Sequence, residues 1–168
     1  MEANRCAISG RDCEAARQYL EAYVELKQKE SRSGTNKFSF HQEGLLIAAI
    51  ISYSRAFTDS RGAQFAAMRV KVNLDKVFKS DPSKIKLHKL VLEKRHNAVA
   101  HAAWAYHKTE LLGLSTGGGV VRKYAVIDYS KGIDIDAFHR MAETMRNHFQ
   151  HEAYDRDVRT NAGPKKEG

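Results

Sequence analysis

Asp81-Pro82-Ser83-Lys84-Ile85-Lys86-Leu87-His88-Lys89-Leu90-Val91-Leu92 continues to about Tyr106 without a glycine or a second proline. An acid followed by proline is a helix start: the carboxylate accepts from amides left free in the first turn, and proline has no N–H to lose there. Leu87, Val91, Ala98 and Ala102 then recur at helical spacing and form one apolar stripe. The spacing predicts a long helix from Pro82, and so large an element in a short chain points to an all-α architecture. Arg95 falls on the same stripe, four residues after Val91 and three before Ala98. A guanidinium in that position needs an anion or a polar partner.

Outward from this stretch, the remaining segments read as partners for that helix. Residues 12–31 place Ala16, Tyr19, Leu20, Tyr23 and Val24 on one face. Ser39-x-x-Gln42 has the spacing of a capping box and opens a second helix carrying Leu45 to Ile51, apolar on almost every side and therefore central. That helix is expected to stop near Thr58 to Gly62. Residues 63–79 carry mixed signals and predict an irregular segment with a short helix. Residues 109–132 flank Thr116-Gly117-Gly118-Gly119 and predict a small β-hairpin. Those glycines lack the GxxxxGK[ST] context of a phosphate loop. Asp134 or Asp136 caps a last helix whose core face is Ile135, Phe138, Met141, Met145 and Phe149. The expectation is a single helical domain over residues 1–155, an up-and-down bundle with a hairpin inserted before the last helix. The charged, glycine-containing residues 156–168 are expected to be a flexible tail.

With 168 residues the chain is long enough to bury a core. No apolar run approaches the roughly 18–20 residues of a membrane span, the longest being Leu45 to Ile51. A basic-then-apolar leader is not evident, and the expected location is the cytoplasm. Two cysteines, Cys6 and Cys13, lack CxxC spacing and fit buried, free or bridged states, with a reduced pair the simplest. His148-x-x-His151 places two imidazoles on one helix face, which falls short of a metal site. No metal and no cofactor is expected. Net charge is +8, which favours a polyanionic partner.

Position sharpens that preference. Lys84, Lys86, Lys89, Lys94 and Arg95 crowd the region that also holds His88, His96 and His101. A solvated helix face would look similar, but the same residues suit phosphate contacts to RNA. His88, one heptad before Arg95, is a candidate for the same groove. An imidazole moves protons near neutral pH, and a guanidinium holds phosphate oxygens in a fork and offsets charge that builds in a transition state. Metal-independent phosphodiester cleavage needs those two groups. His101 lies about 120° round the helix from Arg95, stacked with Asn97 and Lys94. Two groups so far apart on one helix converge poorly, whereas two copies of the helix across a twofold axis bring them together. The bland alternatives are a structural ion pair of Arg95 with Glu43 or Asp59, and a satisfied histidine at 101.

Arg95-His96-x4-His101, late in a helical domain, resembles the Arg-(Asn/Asp/His)-x4-His signature of the HEPN superfamily, which contains many ribonuclease toxins and phage-defence proteins. Ile51 to Thr58 resembles the second long helix of its abortive-infection branch. The resemblance spans roughly Ser39 to Phe149. It implies a homodimeric, metal-independent endoribonuclease that uses Arg95 and His101, gives 2′,3′-cyclic phosphate and 5′-hydroxyl ends, and in some systems has an antitoxin protein as partner. It also implies a supporting role for His96, with Asn97 placed to orient His101. The tyrosine found two residues after the histidine in members paired with nucleotidyltransferase antitoxins is Ala103 here. The alternative is a non-catalytic member of the fold that binds nucleic acid or protein.

Overall fold

The structure, a computed structural model, describes residues 2–33, 40–58, 71–100, 110–113, 120–123 and 129–161. Within them the chain is mainly α-helical. The helices are α1 (Glu2–Arg32), α2 (Phe40–Arg55), the single turn α3 (Leu74–Val77), α4 (Pro82–Ala100) and α5 (Ile135–Asn161). Two four-residue strands, β1 (Glu110–Gly113) and β2 (Val120–Lys123), pair antiparallel with Glu110 opposite Lys123 and Gly113 opposite Val120. The glycine run between them lies outside the described residues. α2 ends at Arg55, three residues before the stop expected near Thr58 to Gly62.

Side-chain contacts fix how the long helices run. Along α1, Gly10 faces Phe149 and Gln150, Glu14 meets Arg146, and Glu21 meets His139, so α5 descends as α1 ascends. Asp12 pairs with Arg55 and Glu30 with Gln42, so α2 is antiparallel to α1 as well. The core is filled by Leu20 and Tyr23 from α1, Leu46, Ile50 and Tyr53 from α2, Val91 from α4, and Phe138, Met141, Met145 and Phe149 from α5. The α5 face is the one its periodicity predicts, with Ile135 packed at its margin. Around α2, Leu45, Ile47, Ala48 and Ile51 are half-buried while Leu46, Ala49 and Ile50 are buried, as a near-continuously apolar helix requires.

α1 and α5 each run beyond the bounds the sequence suggests, for a physical reason. α1 begins ten residues before Asp12: Cys6 and Ser9 are buried, and Gly10 lies against Phe149 and Gln150 of α5. A Cβ at Gly10 would sit 3.6 Å from Phe149 and Gln150, which is ordinary van der Waals contact, so the helix lies against α5 here with room for no more than a small residue. Gln42 donates to Glu30 of α1, so this side chain ties α2 to its neighbour. Its capping-box partner Ser39 lies outside the described residues. α5 runs on to Asn161, and the expected tail is helical over its first six residues. Arg156 reaches Glu152 one turn back at 3.2 Å, and Thr160 donates to the Arg156 carbonyl at 2.8 Å, which supports an exposed helix end.

The entry to α4 forms as its sequence demands. The Asp81 carboxylate accepts from the amides of Ser83 (2.9 Å) and Lys84 (3.4 Å), with Pro82 at the first helical position. Before it, Lys79 and Ser80 both take positive φ, 51° and 55°, a conformation costly for residues with a Cβ. The Ser80 amide donates to the Asp75 carbonyl at 2.7 Å, and the tight turn directs Phe78 into the core. Asp134 caps α5 in the same manner through the Ala137 amide at 2.9 Å.

Candidate functional site

α4 carries most of the sequence-predicted site. Arg95 is half-buried, one turn beyond the fully buried Val91 and seven residues beyond the buried His88. It therefore continues the stripe of His88 and Val91 as a partly accessible side chain. His96 follows about 100° round the helix and is exposed. Asn97 belongs to the helical backbone, with its side chain outside the described residues. His101 and residues 102–109 also lie outside them, so the Arg95–His101 pair has no measured geometry.

The lysines do not form a single row. Lys86 and Lys89 are exposed and fall about 60° apart on the outward side of α4. Lys84 and Lys94 are half-buried, and Lys84 lies on the His88 side near the helix start. Crowding in sequence therefore becomes a girdle around the helix. The outward pair is the part able to meet a phosphate backbone without moving the bundle.

His88 departs from its expected place in an open groove. It is buried, with its Nδ1 2.8 Å from the Tyr53 hydroxyl. Its ring stands edge-on to Phe57 at 4.7 Å and to Tyr53 at 5.7 Å, with Phe78 at 6.2 Å. Tyr53 in turn meets Phe138 edge-on at 5.4 Å. Burial, aided by the nearby Lys89 charge, pushes the His88 imidazole down to about 4, so it is neutral at pH 7. Burial also pushes the Tyr53 phenol well above its ordinary range and keeps it protonated. The seven-residue step from His88 to Arg95, through Val91, was the available signal: a histidine on the buried stripe is held by a core partner.

The α1–α5 seam holds a second polar constellation. Arg17 binds Glu14 at 2.7 Å and also Glu21, and Arg146 from α5 reaches Glu14 at 2.8 Å. His139 lies 3.2 Å from Glu21. Hydrogen bonds from Arg17 and Arg146 hold the Glu14 carboxyl down at about 2. The Glu14-x-x-Arg17-x-x-x-Glu21 part has helical pair spacing and is readable from sequence. Arg146 and His139 join only through the antiparallel packing. These groups neutralise one another and offer no nucleophile, which suits a clamp between helices better than a reactive centre.

A cleft of about 650 Å³ opens between the last turns of α1 and the start of α5. An anion there would meet Lys27 and Arg32 but also Asp134 and Asp136, so the charges give it no clear preference. Cys6 and Cys13 are both buried and not joined in a disulfide. Seven helical residues separate them by about 10 Å along the axis, beyond disulfide reach. Burial raises the Cys13 thiol, which removes thiolate reactivity near neutrality. Among the described residues no group of three or more His, Cys, Asp or Glu side chains is placed to hold a metal ion. Among them, too, no helix is long and apolar enough to cross a membrane. No family model, curated protein or solved structure matches the chain.

Proposed function

We propose that the protein is a metal-independent endoribonuclease of the HEPN type, a toxin or phage-defence effector whose active site is shared between two copies of α4. The reading is carried by one observation. Arg95 begins an Arg-polar-x4-His pattern one turn beyond the buried Val91, half-buried and followed by the exposed His96. A guanidinium partly withdrawn from water interacts more strongly with a phosphate than one in bulk solvent. In this mechanism Arg95 holds the scissile phosphate and offsets the charge of the pentacoordinate state. His101 takes the proton from the ribose 2′-hydroxyl or gives one to the departing 5′-oxygen. Asn97 orients His101, and His96 supports the site. Lys86 and Lys89 hold flanking phosphates. DNA, lacking the attacking hydroxyl, is spared.

The test is digestion of pooled cellular RNA by the wild type, His101→Ala and Arg95→Ala, with and without chelator. The expected products carry 2′,3′-cyclic phosphate and 5′-hydroxyl ends. Loss of the general acid–base should slow cleavage by about 10²–10⁴-fold, and chelator should leave the rate unchanged. Cleavage that survives in His101→Ala would end the catalytic assignment. RNA binding without cleavage by the wild type would favour a non-catalytic module.

A further inference from the structure

α4 is held to the bundle by few deeply buried side chains. Among its described side chains, His88 and Val91 are the buried ones, and Ile85, Leu87, Leu90 and Leu92 pack at the margin of the core. One of the two anchors is thus an imidazole. It sits where α2 and the turn before α4 converge, bonded to Tyr53 and enclosed by Phe57 and Phe78. We propose that His88 is an acid-sensitive latch: its bond to Tyr53 keeps α4 docked, and protonation of the imidazole releases the helix together with Arg95 and His96.

The surroundings make a proton hard to accommodate. From α2 the facing groups are the Tyr53 hydroxyl and the Phe57 ring. Behind Tyr53, α1 contributes Cys13, which burial keeps as a neutral thiol. The α3–α4 turn contributes Phe78, and α5 closes the cluster with Phe138 against Tyr53 and Phe149 against Phe57. The charge that bears on the ring is Lys89 of α4 itself, which repels a second positive charge. Among the described residues, no carboxylate shifts it. An imidazolium in this place has, among the described residues, a phenol and ring edges for company and no counter-ion, while in water it is fully solvated. Undocking α4 satisfies it.

The sign follows from linkage. The ring prefers its neutral form when docked, so α4 docking is strongest above the ordinary histidine value of 6.5 and weakens as pH falls from there toward about 4. Hydrogen exchange of the full chain, corrected for the intrinsic effect of pH on exchange, reads this directly. The opening equilibrium of α4 amides should rise about thirtyfold from pH 8 to pH 5, with α1 and α5 little changed. In His88→Leu, which keeps an apolar side chain in place, the α4 response to pH should vanish. Imidazole resonances of the wild type should show His88 taking its proton only as α4 opens, a readout that survives should His88→Leu fail to fold. An α4 equilibrium insensitive to pH, an equal response in His88→Leu, or a His88 ring that titrates near 6.5 while α4 stays protected would each overturn the latch.

Discussion

Glu14 shows how much one side chain can join. It receives Arg17 from its own helix and Arg146 from α5, and those bonds hold its carboxyl near 2 instead of the ordinary 4.5. A depressed carboxylate contributes stability that is complete above 4.5 and fades as pH falls toward 2. Glu14→Gln should therefore lower the urea midpoint at pH 7 by an amount corresponding to about 1 kcal/mol, the upper end for surface ion pairs. Near pH 2 the variant and the wild type should converge, and a constant gap across that range would place the stabilisation elsewhere. Half of this cluster was legible, because Glu14, Arg17 and Glu21 are spaced for pairing along a helix. Arg146 was not, since nothing local says which helix it faces. His88 was misread for a related reason. A histidine among lysines looks like part of a basic surface until the wheel sets it beside Val91 and the fold brings Tyr53 to it.

At the scale of elements, periodicity carried most of the reading. The core face of α5 and the Asp81-Pro82 entry to α4 follow from apolar spacing and capping chemistry, both local properties. The extra turns of α1 and α5 were hidden because their helicity depends on partners. Gly10 leans on α5 and Cys6 is buried, and the charged end of α5 has pairs such as Glu152 with Arg156 in place of an apolar face. Met145, completely buried on α5, gives a check on the packing. Met145→Ala should cost about 2–5 kcal/mol in a denaturant titration, whereas a loss under 1 kcal/mol would mean that the site is far looser than its burial implies. For α4 the prediction concerns charge. Replacing Lys86 and Lys89, both exposed, with glutamate should weaken RNA binding and flatten its dependence on salt. Fluorescence anisotropy at several salt concentrations checks this, and an unchanged slope would assign those lysines to solubility.

On the scale of the whole molecule, the proposed site is one that two chains share. On the helix wheel that the sequence predicts, Arg95 and His101 fall about 120° apart, and the proposed chemistry calls for a second copy to bring them to one phosphate. The mainly helical bundle itself was legible, since its core residues recur at helical spacing. The pair was legible only as a pattern, because residue spacing along a helix says nothing about what a symmetry mate supplies. Light scattering at micromolar concentration should give twice the mass of a single chain. The most direct test mixes two inactive variants, Arg95→Ala and His101→Ala, under conditions that let subunits exchange. In a site composed of Arg95 from one subunit and His101 from the other, half the dimers become mixed and each regains one intact site, so about a quarter of wild-type RNA cleavage should return. Activity that stays at the level of the separate variants, while exchange is shown to be complete, would contradict a shared site.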